Sequence, residues 1–292
     1  MANRYKLLEF GRAEGVVALM KTQQVADSLR DIHETAVIRP GARIGENVKI
    51  GPYAVIGENV EIGEGTSIGA HAVIDGWTTI GKNCKIFHSC SIGCEPQDLK
   101  FHGEKSYTII GDNTMIREYA TVHRATGEEE VTKVGSNCLL MAYTHVAHNC
   151  IIGNNVIMSN AGMCAGHAIV EDRAVIGGMA GVHQFVKIGR NAMVGGLSKI
   201  TQDIPPFVIV DGNPSYVAGL NSVGMSRAGI SPAARRNIKK AYKILFRSGL
   251  SLSEAIAVIE QDVESCEEIE HFVRFLRGAD RGICRMRRDN ND

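Results

Sequence analysis

The chain of 292 residues has few aromatic residues, no excess of charge of either sign and no long apolar run. Phe, Trp and Tyr together make up 5% of it, and 32 Lys and Arg are balanced by 32 Asp and Glu. A chain without net charge has no global field to attract nucleic acid, so we expect no nucleic-acid partner. Because no apolar run approaches the roughly 20 residues that cross a bilayer, we expect no membrane span either.

Paired cysteine motifs are also missing, since the eight cysteines contain no Cys-x-x-Cys pair. Residues 1–32 carry acidic Glu9 and Glu14 and no continuous apolar segment, which argues against a secretory signal. Without such a signal, the cysteines indicate reduced, buried thiols in a cytoplasmic protein. We treat residues 1–32 as an N-terminal extension whose structure the pattern does not specify.

Isoleucine and glycine are abundant instead, and they recur with a period of six. From Ile38 to Ile92 every sixth residue is Ile, and Gly usually follows it. A helix repeats about every 3.6 residues and a strand about every two, so neither explains this spacing. A six-residue repeat is typical of a β-helix, in which three hexads form one triangular coil and each Ile stacks on the Ile of the next coil. Gly then supplies the backbone freedom that the corners require.

Two polar segments interrupt the repeat without changing its phase. The apolar series resumes at Ile110 and again at Val134, after gaps of 18 and 12 residues. Because both gaps are multiples of six, we predict two loops, 94–109 and 123–133, that are extruded from one continuous prism. Loops on a rigid scaffold commonly carry function.

The repeat is predicted to end at Pro205 and Pro206, because proline cannot continue a strand ladder. Beyond about residue 221 the pattern becomes helical, with a capping box at Ser251 and a last helix that ends at Gly278. The predicted fold is mainly β, a left-handed parallel β-helix followed by a small C-terminal α-helical domain. Its predicted boundaries are the β-helix at 33–206, the helical domain at 207–286 and a disordered tail at 287–292.

Several motifs in this pattern occur together in one enzyme family. They are IGCEPQDLKFHGEKSYTIIGDNTMIRE, LLMAYTHVAHNC, AGH, GGMAGVHQF, MVGG and the late RGI. Through them the chain, over about 33–286, closely resembles the UDP-N-acetylglucosamine acyltransferases, the first enzymes of lipid A biosynthesis. The QDLK and HVAHNC blocks separate that family from other hexapeptide enzymes. The resemblance implies a homotrimer that moves a 3-hydroxyacyl group from acyl carrier protein to the 3-hydroxyl of UDP-N-acetylglucosamine, without cofactor or metal.

The repeat itself places a base beside a backbone N–H. Gly166 follows His148 by 18 residues, which is one coil, so the two should stack, with His167 as their neighbour. Acyl transfer needs such a pair, because a histidine with an ordinary pKa of about 6.5 can take the proton of the attacking hydroxyl while an N–H stabilises the oxyanion. We predict His148 as general base, Gly166 as oxyanion donor and direct attack by the sugar oxygen.

The resemblance assigns further residues to contacts with the sugar, phosphates, nucleotide, pantetheine or acyl chain. They are Asp98, Lys100, His145, His167, His183, Gln184, Asn221 and Arg227. We add His123 as a substrate contact, and Gly196 aligns with the position that limits acyl length.

The carrier protein is strongly acidic, so a local basic patch should steer it to a chain without net charge. The best candidate is the start of the first predicted C-terminal helix, with Arg235, Arg236, Lys239 and Lys240. Residues three and four apart share a helix face, so Arg236, Lys239 and Lys240 can point together. The alternative is an ordinary solvated helix face.

Three positions depart from the family pattern. Asn149 stands where many relatives have an acidic residue after the histidine. Val223 and Ala228 stand where a glutamate and a second basic residue are common, so the uridine could be held differently.

Two other functions are compatible with a hexapeptide prism. A zinc carbonic anhydrase would use three histidines, for which His145, His148 and His167 are the candidates, although their spacing does not converge obviously on one ion. A structural or ice-binding prism would show a flat array of repeated Thr, which this sequence lacks.

Overall fold

The computed structural model describes residues 31–287. The hexads there form three parallel sheets, A, B and C, wound in turn around one axis. Sheet A contains β1 Asp31–Ile32, β4 Lys49–Ile50, β7 Ser67–Ile68, β10 Lys85–Ile86, β13 Met115–Ile116, β16 Leu139–Leu140, β19 Ile157–Met158, β22 Val175–Ile176, β25 Met193–Val194, β27 Val208–Asp211 and β28 Tyr216–Leu220. Sheet B contains β2 Val37–Ile38, β5 Val55–Ile56, β8 Val73–Ile74, β11 Ser91–Cys94, β14 Thr121–His123, β17 His145–Val146, β20 Met163–Cys164, β23 Gly181–Val182 and β26 Lys199–Ile200. Sheet C contains β3 Arg43–Ile44, β6 Glu61–Ile62, β9 Trp77–Ile80, β12 Tyr107–Ile110, β15 Val131–Val134, β18 Ile151–Ile152, β21 Ile169–Val170 and β24 Lys187–Ile188.

The repeated isoleucines stack inside the prism, as the period predicted. Ile50 lies beside Ile68, and Ile68 beside Ile86, in parallel register. All three are buried, as are the smaller residues such as Ala54 that come four positions after the Ile. Each buried Ile side chain stabilises the fold by about 1.5–3 kcal/mol, so the coils are held together mainly by this apolar column.

The repeated glycines serve a purpose other than the predicted one. Gly63 does not have the left-handed backbone conformation, but a Cβ on it would lie 2.6 Å from the carbonyl carbon of Gly81 in the next coil. The glycine is therefore needed because two coils approach closely there. The left-handed conformation falls mostly on other residues of the corners.

The turn from sheet C to sheet A, the CA corner, shows which residue adopts that conformation. Asparagine recurs there with φ between 53 and 58°, at Asn47, Asn83, Asn113, Asn137, Asn155 and Asn191. Asn is one of the few L-residues that visits this region at low cost, because its short amide side chain can bond locally.

The turn from sheet B to sheet C, the BC corner, is where both polar segments leave the prism. The segment between β11 and β12 is loop 1, residues 95–106, and that between β14 and β15 is loop 2, residues 124–130. The strands on either side keep their places in sheets B and C, so the loops are extruded from a continuous prism.

The prism is longer at both ends than the predicted 33–206. Asp31 and Ile32 already pair with Lys49 and Ile50. After the two prolines, β27 pairs with β25, and β28 closes the sheet in antiparallel fashion. The ladder survives because the prolines lie in the turn between an isolated bridge at Ile204 and the start of β27, where no strand hydrogen bond depends on them.

The C-terminal helices are α1 Ser222–Arg227, α2 Pro232–Arg247, α3 Leu252–Asp262 and α4 Glu267–Arg277. The short α1 was not predicted. Ser251 and Glu254 form the predicted capping box at the start of α3. The helices share a core of their own, which includes Phe207, Ile238, Ile259 and Phe272. None of the helices in residues 31–287 is long and apolar enough to cross a membrane.

Polar contacts join this helical unit to the last coils. Arg190 forms a two-pronged ion pair with Glu267 at 2.8 and 2.9 Å, and His271 Nε2 lies 2.7 Å from a carboxylate oxygen of Glu171. The fully buried carboxylate of Asp203 accepts hydrogen bonds from the N–H groups of Lys187 and Arg281. Residues 1–30 and 288–292 lie outside the described residues, so the predicted extension and tail stay predictions.

Candidate active site

The BC corner brings the predicted base together with both loops. His148 and Asn149 occupy this corner one coil beyond loop 2, and Gly166 and His167 occupy it one coil further on. Successive coils are joined by backbone hydrogen bonds, for example from His167 N–H to the His148 carbonyl. The stacking of Gly166 on His148 is therefore built into the ladder.

His148 is oriented by the residue that follows it. Its Nδ1 lies 2.9 Å from Asn149 Oδ1. The same oxygen accepts from Thr126 N–H at 3.0 Å, while Asn149 Nδ2 donates to the Thr126 carbonyl at 3.1 Å, which fixes the orientation of the amide. An amide oxygen only accepts, so Nδ1 of His148 carries the proton and Nε2 presents a lone pair.

A carboxylate from loop 1 stands on the Nε2 side. Asp98 Oδ2 lies 3.8 Å from His148 Nε2, and both side chains are largely shielded from solvent. The N–H of Lys100 and, secondarily, attraction to His148 hold the pKa of Asp98 below its usual value, so it is ionised at neutral pH. A carboxylate at this distance stabilises the imidazolium that forms when Nε2 takes up a proton.

Gly166 touches the base so closely that any side chain there would displace the His148 ring. A Cβ at this position would lie 2.5 Å from His148 Nε2 and 2.6 Å from Cε1. Its N–H makes no hydrogen bond within residues 31–287, so it can donate to a bound group. A free backbone donor therefore lies beside the atom that accepts the proton.

His123 and His145 form a second pair on the sheet B side. Their rings meet edge to face at 4.9 Å, and Nδ1 of His145 lies 2.7 Å from Thr121 Oγ1. Burial lowers the pKa of His123 to about 4 and also lowers the pKa of His145. Both rings are therefore neutral at neutral pH and offer polar atoms rather than charge.

His167 completes the cluster at the left-handed corner position, with φ of 61°. Its ring meets His148 edge to face at 5.2 Å and stacks on Phe185 at 4.7 Å. Partial burial lowers its pKa as well. This conformation recurs at most corners of the prism, so it places His167 at the corner but does not by itself mark the site.

A cavity of about 400 Å³ opens among these side chains. It is lined by His123, His145, His148 and Gly166, together with residues that the sequence did not single out, among them Gln97, Met163 and Gly181. Gln97 directly precedes Asp98 in the QDLK block, and this adjacency could have indicated that Gln97 lies near the site. No sequence feature indicated Met163, because an outward-facing residue on sheet B looks like any other strand residue.

The remaining predicted contacts are spread more widely. His183 and Gln184 are exposed at the BC corner in the coil after His167. Lys100 is exposed on loop 1. Gly196 is exposed at the turn from sheet A to sheet B, the AB corner, where a Cβ would lie 3.2 Å from the Gly178 carbonyl oxygen.

Asn221 and Arg227 belong to the other side of the prism. Asn221 is buried, caps α1 by accepting from Gly224 N–H, and donates to the carbonyl of Asn191 at the CA corner. Arg227 is exposed at the end of α1. Within one chain these residues are therefore not brought to the histidine cluster.

The predicted carrier patch is only partly free. Arg236, Lys239 and Lys240 are exposed on α2, but Arg235 is partly buried, and the Lys240 amine donates to the Asp262 carbonyl. The helix has no acidic residue in its sixteen positions. Its exposed face is therefore uniformly positive.

Among residues 31–287 no three His, Cys, Asp or Glu side chains are grouped so that they could hold a metal ion. No observation thus favours the zinc alternative.

The fold and the site define a transferase of the hexapeptide-repeat class. A family model described as bacterial transferase hexapeptide matches residues 41–76 and 132–160, and one for the hexapeptide repeat of succinyl-transferase matches 167–196. A third model, for domain 2 of UDP-N-acetylglucosamine O-acyltransferase, matches residues 203–284.

Similar proteins indicate which enzymes of this class the chain resembles. An acyl-[acyl-carrier-protein]–UDP-N-acetylglucosamine O-acyltransferase of Anaeromyxobacter is 48% identical over 255 residues, which cover 87% of this chain and 99% of that protein. An enzyme of the same name from Gloeothece citriformis is 53% identical over 176 residues, 60% of this chain and 64% of that protein.

Solved structures agree with these relatives. LpxA from Acinetobacter baumannii superposes with a TM-score of 0.84 at 42% identity, over 87% of this chain and all of that one (100%). The UDP-N-acetylglucosamine acyltransferase of Francisella novicida gives 0.85 at 38%, over 89% and 95% of the two chains. The chain belongs to the UDP-N-acetylglucosamine O-acyltransferase family.

Proposed function

We propose that the chain transfers a 3-hydroxyacyl group from acyl carrier protein to the 3-hydroxyl of UDP-N-acetylglucosamine, in the cytoplasm, as the first step of lipid A biosynthesis. The observation that best supports this function is the position of His148 Nε2, whose lone pair lies beside the free N–H of Gly166 in a cavity. Acyl carrier protein and UDP-N-acetylglucosamine are the substrates in the names of the related enzymes.

The positions of these atoms support the following reaction. Nε2 of His148 takes the proton of the sugar hydroxyl, and the oxygen attacks the thioester carbonyl carbon. The negative charge moves to the carbonyl oxygen, where the Gly166 N–H stabilises it. The intermediate collapses, the C–S bond breaks, and the imidazolium returns its proton to the departing thiolate. No protein nucleophile and no cofactor is needed.

Two neighbours tune this base. Asn149 holds the proton on Nδ1 so that Nε2 stays available, and ionised Asp98 favours the transient imidazolium. Asn149 does this without a charge of its own, so the electrostatic support comes from loop 1.

The direct test is to incubate the purified chain with 3-hydroxyacyl carrier protein and UDP-N-acetylglucosamine and to identify the product by mass. We expect a sugar nucleotide that carries one ester-linked acyl group, and none from His148→Ala. Transfer of an acetyl group from coenzyme A in place of this reaction would contradict the proposal.

We propose that the acyl chain runs from the cavity along sheet B toward the AB corner. Apolar side chains are exposed along that path at Met163, Met179 and Leu197, with relative exposures of 50%, 67% and 69%. Gly196 leaves room at its far end, so Gly196→Met should shift the preference to shorter donors by overpacking. A donor panel with the same order for both proteins would count against this path.

We propose a homotrimer, because residues assigned to substrate contacts lie far from the predicted base within one chain. Asn221 and Arg227 lie with α1 at the CA corner, whereas His148 lies at the BC corner. An adjacent copy could place its α1 beside this cavity. Inactive His148→Ala and Arg227→Ala chains, refolded together, should then regain activity in mixed oligomers, and a stable active monomer in sedimentation would refute the trimer.

We propose that the positive face of α2 receives the acidic carrier protein. Because Lys240 is engaged with Asp262, we choose Arg236 and Lys239 for reversal to Glu. The apparent KM for the acyl carrier donor should rise, most at low salt, since rim charges mainly change association rate. Reversal of exposed Lys82 and Lys85 on the prism is the control. If both variants used the carrier equally well at low salt, the basic residues of α2 would be an ordinary solvated helix face and not a docking site.

A further inference from the structure

We propose that Glu104 and Arg124 are positioning residues that hold loop 1, and with it Asp98, over His148. Neither residue lines the cavity. The inference rests on the proposed function for its kinetic part, but the contacts that carry it are separate from those of the substrate.

Glu104 ties the two loops together through their backbones. One carboxylate oxygen accepts from Gly127 N–H of loop 2 at 2.8 Å, and the other accepts from His102 N–H of loop 1 at 2.7 Å. Charge-assisted bonds of this kind are roughly twice as strong as neutral ones. Lys105 and Ser106 add further bonds to loop 2, and Glu104 is the tie nearest to Asp98 in the returning half of loop 1.

These bonds close a ring around the base. Nδ1 of His148 is bonded to Asn149, Asn149 to Thr126, and the next residue, Gly127, to Glu104. From Glu104 the chain of loop 1 returns to Asp98, whose carboxylate faces Nε2 of the same histidine. A change in Glu104 thus alters the position of Asp98 relative to the ring that Asn149 holds.

Arg124 fixes the outgoing half of loop 1. Its guanidinium donates to the Gly93 carbonyl at 3.4 Å, lies 3.5 Å from Glu95 and covers the Phe101 ring at 4.9 Å. Phe101 N–H in turn donates to the Asp98 carbonyl at 3.0 Å. By packing on Phe101, Arg124 therefore also restrains the backbone of Asp98, the residue that faces the base.

The burial of Arg124 indicates a specific purpose. It is 8% exposed, and its Nε has no hydrogen-bond partner within the described part of the chain. A buried, incompletely paired arginine costs stability, so it is poorly explained as a stabilising residue. Gly76, with φ of 60°, packs against both the Gly93 carbonyl and this side chain, since a Cβ there would lie 2.6 Å from Gly93 O and 3.0 Å from a guanidinium nitrogen.

The apolar side chain next to Asp98 does not anchor it. Leu99, next to Asp98, is fully exposed at 101% relative accessibility. Asp98 is therefore held mainly by the segments on either side of it, which are the segments that Arg124 and Glu104 fix.

The experiment is a double-mutant cycle between Glu104→Gln and Asp98→Ala. The amide keeps the size of the carboxylate but turns one acceptor into a donor that faces a backbone N–H. We expect kcat/KM to fall about tenfold to a hundredfold, as for a base and partner displaced by a fraction of an ångström. In the Asp98→Ala background the same change should cost less than about twofold, because coupled residues are not additive. Additive losses, or full activity of Glu104→Gln, would overturn the proposal.

Phe101→Leu repeats the test at the other anchor, without loss of charge, should Glu104→Gln fail to fold. It should show the same lack of additivity with Asp98→Ala. Glu64→Gln, which removes a remote exposed carboxylate paired with Lys82, is the control for charge and should act as wild type.

Hydrogen exchange of loop 1 gives a readout that does not require activity. Exchange in residues 95–106 should accelerate in Glu104→Gln and Phe101→Leu but not in Glu64→Gln, with the rest of the prism unchanged. A wild-type chain without acyl transfer would contradict the proposed function alone, whereas unchanged exchange in both loop variants would overturn this inference alone.

Discussion

Two corners of the same prism have nearly the same backbone and quite different chemistry. At the CA corner the left-handed position is filled again and again by Asn, with φ between 53 and 58°. At the BC corner the equivalent residues are Asn149, His167 and Phe185, with φ of 59, 61 and 65°. Of these two corners, only the BC corner carries the extruded loops and the cavity that the histidines line.

The difference separates what the coil requires from what the reaction requires. A left-handed residue other than Gly, Asn or Asp costs roughly 1–2 kcal/mol, so the Asn column minimises that cost. His167 and Phe185 accept it and in return place rings against His148 and against each other. Arg173 at the CA corner and several residues at the AB corner also depart from Asn, so the departure alone does not define the site; the contacts of His167 with His148 and Phe185 do.

The largest expected effect comes from removing the base. His148→Ala should fold normally and lose about 10²–10⁴ in rate, the range for a positioned general base. Asn155→Ala at the CA corner should lose about 1 kcal/mol in free energy of unfolding and keep its rate. Steady-state kinetics and thermal unfolding of both variants measure this contrast. A folded His148→Ala with the wild-type rate would remove the functional distinction between the corners.

The next effect tests the close approach at Gly166. Gly166→Ala forces a Cβ to within 2.5 Å of His148 Nε2 and displaces the N–H donor with it. We expect a loss of about 10²–10³ in kcat, similar to the loss of an oxyanion donor elsewhere. Gly219→Ala in β28, where a Cβ meets nothing within 4 Å, should be neutral. Similar rates for both variants would exclude Gly166 from the reaction.

The histidine-rich corner should also make the protein sensitive to acid. Because the pKa of His123 is lowered from about 6.5 to about 4, the unfolded state binds more protons between these values. The stabilisation is therefore present above pH 6.5 and lost as the pH falls toward 4, by roughly 3 kcal/mol. His123→Gln should flatten that part of the profile in denaturant unfolding. Parallel profiles for the two proteins would show that other groups are responsible.

The smallest effect compares one asparagine from each corner. Asn149→Asp keeps an acceptor for His148 but sets a second oxygen against the Thr126 carbonyl, so we expect activity within about threefold and a loss of about 1 kcal/mol in stability. Asn155→Asp should leave activity unchanged. Complete inactivation of Asn149→Asp would mean that the amide hydrogen is needed in the reaction itself.

The sequence predicted the regular part of this molecule well, because a period of six has a single geometric reading. The inward Ile column, the phase across both loops and the stacking of Gly166 on His148 all follow from counting residues. Contacts that depend on irregular backbone did not follow. Nothing in the pattern indicated that Asn149 would hydrogen-bond to Thr126 or that Arg124 would pack on the Phe101 ring.

The errors have the same origin. The prolines ended the predicted repeat too early, since the rule concerns residues inside a ladder and these lie in a turn. The six-residue α1 was missed, because its cap is formed by buried Asn221, to which the resemblance had assigned a ligand contact. Local patterns specify which way a side chain points, but they do not specify which distant group it meets.

Buried cysteines at inward positions of the prism can report the order in which its coils open. Cys84 and Cys90 fill the small inward positions in the earlier coils, Cys138 and Cys150 fill them in the later ones, and Cys164 stands in the inward column between Val146 and Val182. Burial raises the pKa of Cys90 and of Cys150 to about 12, so neither forms the reactive thiolate while its coil is closed. Solenoids can open coil by coil, because each contacts only its neighbours. The order in which these thiols become alkylated in the native protein would therefore record the direction in which the prism unwinds.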